Sequence, residues 1–293
     1  MIDILFVHTN SSTQTFQSLL KYAAIEPPIW AGMLANRCRN KKHNVQVLDC
    51  EVLRLDYKHS VNEIINFNPR IACFVVYGQQ PSASSQNMEG AIAVSKILKK
   101  TKPEIKTLFV GGHVAALPTE TLEKENSIDI IALNEGAYSI SNLLEVENLD
   151  DYTYLKKVKG IGFRDEEKKI ILTDPENIIP KNLLEKDLPG VAWDLLPNLS
   201  SYRTAGWHSW TNNSDKQPFA ALYTSLGCPY KCSFCMINII NRTNNSQNIS
   251  SENSNIFRWW SPEFVIKQFE FFAKKGIKNI KIADELFVLN PNH

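Results

Sequence analysis

The sequence predicts an α/β protein whose N-terminal half is a doubly wound, Rossmann-like parallel sheet, followed by a connector with a β-hairpin and then by the first units of a second β/α array. Three observations lead there. Apolar runs short enough for strands buried on both faces alternate with helical patterns through the first half. The alternation stops near residue 148, beyond which lies a stretch rich in Pro, Asn and Ser, and a strand, helix, strand order returns after Pro218. Repeated crossovers of this kind are right-handed, which puts helices on both faces of an open sheet.

Taken in order, strands are expected at residues 4–7, 45–48, 71–76, 107–110 and 128–133. Helices are expected between and after them. The first, 28–39, opens on prolines and carries Ile29, Trp30, Met33, Leu34 and Cys38 on one side; 61–67, 88–99, 119–125 and 137–145 follow. Residues 160–164 and 169–173 flank the charged turn Asp165, Glu166, Glu167, Lys168 and predict a hairpin. Residues 174–218 show little periodicity apart from the apolar knot 188–196. A strand is expected at 219–224, and the Asn- and Ser-rich tract 241–255 is expected to be a solvated loop. Ser261 as N-cap, Pro262 at the first position and an early Glu263 open a helix that runs to Lys275 before Gly276 stops it. A strand at 277–282 then ends in Ala283, Asp284 and Glu285. The boundaries so placed are 1–148 for the sheet domain, 149–217 for the connector and 218–293 for the second array.

Hydrophobic residues at 43% and charged residues at 22% are close to globular averages, which excludes wholesale disorder, collagen and coiled coil. A formal net charge of +1 supplies no global field for nucleic acid or an anionic membrane. The aromatic group Phe257, Trp259, Trp260, Phe264, Phe269, Phe271 and Phe272 has few interleaved cations beyond Arg258, Lys274 and Lys275, so it reads as helix and barrel core, not a base-stacking platform. No run of about 18 apolar residues occurs and the N-terminus has no basic leader, so no membrane span and a cytoplasmic location are expected.

Six cysteines are too few for a disulfide scaffold, and they are unevenly spread. Cys38, Cys50 and Cys73 lie in apolar stretches and read as small buried hydrophobes. Cys228, Cys232 and Cys235 instead form a C-x3-C-x2-C loop directly after a strand, able to wrap one metal centre. A structural zinc wants four ligands, and no further Cys or His lies between Cys235 and His293; a zinc knuckle that borrows a distant ligand stays open as an alternative. A four-iron cluster held by three thiolates keeps one iron open to an outside ligand.

In open α/β sheets ligands sit beyond the carboxyl ends of the strands. Gly78 follows the third strand, Gly111, Gly112 and His113 the fourth, and Asn134, Glu135 and Gly136 the fifth, so these loops share one edge and as a set suggest a ligand there. Each glycine alone reads as a tight turn. No G-x-G-x-x-G opens a helix and no phosphate loop occurs, so nucleotide binding is disfavoured. His8 also ends a strand on this edge and reads as a hydrogen-bonded structural residue.

The cysteine loop, with Phe234 before its last cysteine and Gly227, Cys228, Pro229, Tyr230 as its lead-in, resembles the cluster loop of radical S-adenosylmethionine (SAM) enzymes. Gly111, Gly112 and His113, then Leu117 and Pro118, Asn134 to Gly136, and the run from Trp193 to Pro197 are similar to features of the subgroup with an N-terminal cobalamin (B12) domain. The resemblance implies a Rossmann-like cobalamin domain and the start of a partial (β/α) radical SAM barrel. It implies a 4Fe-4S cluster on Cys228, Cys232 and Cys235, SAM near Phe234, Asp284 and Glu285, and cobalamin near Gly78, Gly111, Gly112, His113, Glu135 and Gly136. It further implies reductive cleavage of SAM to a 5′-deoxyadenosyl radical, methyl transfer to or rearrangement at an unactivated carbon of a small-molecule substrate, and a reducing donor such as flavodoxin or ferredoxin.

The sequence departs from that pattern around Glu135, where Leu133, Asn134 and Ala137 stand in place of the Arg and second acid that the family often carries, and in two further ways. None of its histidines stands in an Asp-x-His-x-x-Gly context, so a histidine below cobalt is not expected. Six βα units at about 30 residues each take roughly 190 residues, and fewer than half of that follow Pro218, so the chain is expected to stop inside the barrel. A methylthiotransferase, which would need further cluster cysteines such as Cys38, Cys50 and Cys73, and a non-catalytic cobalamin or iron-sulfur module are the rival readings.

Overall fold

A strand buried on both faces needs apolar side chains at every position, and the computed structural model shows where the chain meets that condition. It describes residues 2–78, 83–203, 218–232, 235, 237–243, 256–287 and 289. From the N-terminus run β1 (Ile2–His8), α1 (Ser12–Phe16), α2 (Ile29–Asn40), β2 (Val45–Asp49), α3 (Tyr57–Phe67), β3 (Pro69–Val75), α4 (Ala83–Thr101), β4 (Lys106–Val110), α5 (Gly112–Ala116), α6 (Pro118–Lys124), β5 (Ile130–Ala132), α7 (Ala137–Leu144) and α8 (Tyr152–Leu155). The connector holds β6 (Ile161–Arg164), β7 (Ile170–Leu172) and α9 (Leu184–Asp187). Beyond it come β8 (Phe219–Leu222), β9 (Ser225–Gly227), β10 (Phe257–Trp259), α10 (Pro262–Lys274) and β11 (Asn279–Ile282).

The main sheet has the order β2-β1-β3-β4-β5-β6-β7. Its first five strands are parallel, with Val7 opposite Leu48 and Phe74, and Phe74 opposite Phe109. The two phenylalanines stack at 4.9 Å between centroids. One face is covered by α3, α4 and α6 through Val61, Ile64, Met88, Val94, Leu98 and Leu122. The other is covered by α2 and α7, and the same core runs on through Leu188 and Leu196 into Phe219, Leu222, Trp260 and Phe272. Three layers result, and the second array shares its core with the sheet domain.

The hairpin forms where it is expected, but it belongs to the sheet. β6 pairs antiparallel with β5, and β7 with β6, so the hairpin covers the edge that β5 would otherwise expose. The segment after it is fixed to the sheet domain by side chains: Arg37 of α2 meets Asp187 at 2.5 Å, Tyr138 of α7 donates to Asp187 at 2.8 Å, and Tyr202 donates to Asp49 at 2.9 Å.

The run 219–224 is not one strand. β8 pairs with β11 in parallel, whereas β9 turns away to pair antiparallel with β10, whose Phe257 and Trp259 lack a recognisable strand pattern. Asp284 holds the break: Oδ1 accepts from the Thr224 N–H at 2.7 Å, and Oδ2 accepts from the Thr224 and Ser225 hydroxyls. The short α1 and α5 also have no clear periodic signal. Most of the tract 241–255 lies outside the described residues. Among the described residues no helix is long and apolar enough to cross a membrane.

Candidate functional site

The carboxyl edge of the parallel strands divides into a covered half and an open half. Over β4 and β5 the chain covers itself. The turn Ile237–Asn241 packs Ile239 against Ala115 and Ala116 of α5. Asn134 donates to the Glu176 carbonyl at 2.8 Å and accepts from the Gly136 N–H at 3.1 Å. Glu135 is fully buried; one oxygen accepts from the Ile179 N–H at 2.7 Å and the other from Arg258 of β10 at 2.8 Å. Arg258 also donates to the Ile179 carbonyl at 2.6 Å and to Asn241 at 2.7 Å. This ion pair ties β5 to the second array.

Two of the edge glycines have reasons internal to the fold. Gly111 has φ +153°, and a Cβ there would stand 2.5 Å from the Val76 carbonyl oxygen; Gly136 has φ +81°, and a Cβ there would stand 2.7 Å from the Val110 side chain. The His113 ring, half-buried and depressed in pKa by that burial, bonds the Ser85 hydroxyl through Nδ1 at 3.0 Å, while the His113 backbone N–H donates to the Ser84 hydroxyl at 2.9 Å. Gly112 opens α5.

The open half lies over β1 and β3. A cavity of about 440 Å³ is lined there by His8, Glu51, Val75, Tyr77 and Gly78, by Pro28 to Ala31 at the start of α2, and by Ala83, Gln86 and Asn87 of α4. Tyr223, just after β8, and Lys281 of β11 complete it. Trp30 stacks on Tyr77 at 4.4 Å and tilts against Tyr223 at 6.1 Å, so one wall is aromatic. Phe16, Leu19 and Tyr22 stand at the mouth and remain exposed. Lys281 pairs with Glu26 at 2.7 Å on the rim. Of the positions expected at a ligand edge, Gly78 lines this cavity, whereas Gly111, Gly112, His113, Glu135 and Gly136 do not. The reason is the covering of β4 and β5 by the second array, which no local pattern announces.

The floor contains a charge network around His8, whose expected hydrogen bond is made to Asp49. His8 Nδ1 lies 3.0 Å from Asp49, and its Nε2 lies 3.9 Å from Glu51. Asp49 is itself held by the Glu51 and Val52 N–H groups and by Tyr202. Burial alone would depress the imidazole, but Asp49 and then Glu51 and Glu26 outweigh it, and His8 is pushed up to about 9.

The cysteine loop leaves β9 beside the same end of the second array. Gly227 has φ +86°, and a Cβ there would meet the Ile256 carbonyl oxygen at 2.1 Å, so only glycine makes this turn. Its N–H donates to Glu285 at 3.2 Å, and burial pushes that carboxyl up to about 7. Asn238 clasps the first turn, accepting from the Cys228 N–H at 3.2 Å and donating to the Cys228 carbonyl at 3.1 Å. Cys232 is exposed, Cys228 and Cys235 half-buried. Phe234 lies outside the described residues. Three thiols on one accessible loop are a suitable donor set for an iron-sulfur cluster. Among the described residues, however, no three His, Cys, Asp or Glu side chains are gathered closely enough to hold a metal ion. Cys38, Cys50 and Cys73 are wholly buried with raised thiol pKa values, the first and third in the core on one face of the sheet and the second on the other. They do not converge on the loop that a methylthiotransferase would need.

A five-stranded parallel sheet ordered 2-1-3-4-5, continued by a cysteine-bearing β/α segment, defines a doubly wound α/β domain joined to a second unit. Residues 19–144 match the family model of the B12 binding domain. The match takes in most of the sheet domain, and the chain is similar over more of its length to cobalamin-dependent radical SAM proteins. It is 26% identical over 265 residues to an uncharacterized methyltransferase of Pyrococcus horikoshii, covering 90% of this chain and 50% of that one. It is 23% identical to the cobalamin-dependent radical SAM methyltransferase TokK of Streptomyces tokunonensis, over 70% of this chain and 27% of that one. Among solved structures it superposes on OxsB, a cobalamin-dependent SAM radical enzyme with aqua-cobalamin and SAM bound, with a TM-score of 0.64 at 19% identity, over 99% of this chain and 35% of that one. The chain spans half or less of the length of these relatives.

Proposed function

We propose that this chain is the cobalamin-binding and cluster-binding portion of a radical SAM enzyme, with methyl transfer to an unactivated carbon of a small molecule as its reaction class. One observation carries the reading: the cavity at the ends of β1 and β3 is also walled by Tyr223 and Lys281, from the unit whose next loop bears Cys228, Cys232 and Cys235. A cofactor over the sheet edge and a cluster on the loop would therefore face a common space.

In this reading the open cavity, with Gly78 on its rim, takes part of the corrin, and its aromatic wall excludes water. Gly111, Gly112, His113 and Gly136 support the edge by shaping the loops behind it, and Glu135 supports it through Arg258. Cys228, Cys232 and Cys235 hold the 4Fe-4S cluster when the loop closes, so metal loading and loop folding are coupled. Asp284 keeps the β8–β9 break in place, and Glu285 holds the Gly227 turn; with Phe234 they are the candidates for contact with SAM. Together the bound groups supply a one-electron cleavage of SAM and a transferable methyl, and the protein contributes placement. The electron comes from a small reducing protein of the flavodoxin or ferredoxin kind in a cytoplasmic setting.

The test is anaerobic loading with iron and sulfide, followed by methylcobalamin titration. The reading expects about four irons per chain and saturable cobalamin binding. Stoichiometric zinc without iron uptake, or no cobalamin binding, overturns it.

A further inference from the structure

The floor of the cavity holds a titratable group that the proposed function leaves unused. His8 ends β1 and is almost completely buried, yet it lines the cavity. Its Nδ1 is taken by Asp49 at 3.0 Å, and Asp49 is fixed from three sides by the Glu51 and Val52 N–H groups and by the Tyr202 hydroxyl. Nε2 is differently placed. Its nearest acidic partner is Glu51 at 3.9 Å, beyond hydrogen-bond reach, and Glu51 is engaged by the Ser12 hydroxyl.

We propose that His8 is a binding residue of this cavity: a donor fixed by Asp49, whose Nε2–H takes a carboxamide, carbonyl or carboxylate oxygen of the ligand seated against Trp30 and Tyr77. The proposal rests on the cobalamin reading, since a corrin offers an extended ring for the aromatic wall and a rim of carboxamide oxygens for the donor. It also assigns what His8 does not do. A histidine that ligates cobalt needs a lone pair on Nε2, and an imidazolium protonated on both nitrogens has none.

The charged groups around His8 agree on the sign. Asp49 at the end of β2, Glu51 just after it, and Glu26 before α2 all favour the protonated ring. The cation in the cavity, Lys281 of β11, is paired with Glu26. Tyr202, from the connector, acts on His8 through Asp49. The positively charged donor is therefore present through neutral pH and is lost as pH rises through about 9. Asp49 and Tyr202 are positioning residues in this scheme.

The experiment is titration of the full chain with methylcobalamin in the dark across this pH range, followed by equilibrium dialysis and absorption. Wild type is expected to bind with constant affinity at neutral pH and to lose affinity through about pH 9. His8→Gln keeps a neutral donor; at neutral pH it should bind roughly tenfold more weakly, the scale of a charge-assisted hydrogen bond, with no fall at high pH. Asp49→Asn should move the fall to lower pH, a shift that loss of shape alone does not produce. Equal affinity and equal pH profiles for wild type and His8→Gln overturn the proposal. So does a histidine-ligated cobalt spectrum in wild type that disappears in His8→Gln, which would make His8 a ligand. Absence of binding by the wild type instead overturns the cobalamin reading, and the proposal falls with it.

Discussion

Glu135 and Arg258 meet at 2.8 Å with almost no solvent on either side chain, and each also bonds the backbone of Ile179. An ion pair this deep is costly to half-remove, because the surviving charge stays buried without a partner. Arg258→Met is therefore expected to destabilise the protein by about 3–5 kcal/mol in urea unfolding, and Glu135→Gln with Arg258→Met together by less than the sum of the two. At Gly227 the constraint is steric. Gly227→Ala would set a Cβ against the Ile256 carbonyl at a positive φ, which is expected to cost at least about 1 kcal/mol and to lower iron uptake on reconstitution. Additive behaviour of the pair, or normal iron loading by the alanine variant, contradicts these residue-level accounts.

At the scale of elements, the cysteine loop and the hairpin carry the sharpest expectations. The loop is anchored at its start by Asn238 and Glu285, but its three thiols are not preformed around a point. Cys232→Ala should abolish most of the cluster absorption, whereas Asn238→Ala should slow loading while leaving its final extent largely intact, as measured by iron content against time. The hairpin closes the β5 edge. A chain ending at residue 148 leaves that edge unpaired, so it is expected to aggregate more and melt lower than one ending after Ile179, which retains β6, β7 and the Ile179 contact to Glu135. Equal melting temperatures for the two would show that the expected 1–148 boundary is sufficient by itself.

At the scale of the whole molecule, one core runs from α2 and α7 through Leu188 and Leu196 to Trp260 and Phe272. Trp260 donates to the Leu188 carbonyl at 3.0 Å, and short β-bridges join Ile25, Arg203 and Pro218. The sheet domain and the second array are thus expected to unfold together. Far-ultraviolet circular dichroism and tryptophan fluorescence should report one coincident urea transition, and Arg258→Met should separate the two signals. Two resolved transitions in the wild type contradict a shared core.

Local physics made much of this legible in the amino-acid order. Strands such as Ile2–His8 and Pro69–Val75 are apolar on both faces, and helices such as Ile29–Asn40 and Pro262–Lys274 carry their own start and stop residues, so their place in a doubly wound sheet needs no distant partner. The C-x3-C-x2-C spacing likewise names a thiolate loop without reference to the rest of the chain. Tertiary structure alone decided which half of the sheet edge stays open, because covering β4 and β5 depends on Arg258 reaching Glu135 across 123 positions. It also decided that His8 meets Asp49, a neighbour that favours the protonated ring. A lone histidine after a strand carries no signal until folding sets Asp49 beside it, and burial then strengthens that pairing by excluding the water that would screen it.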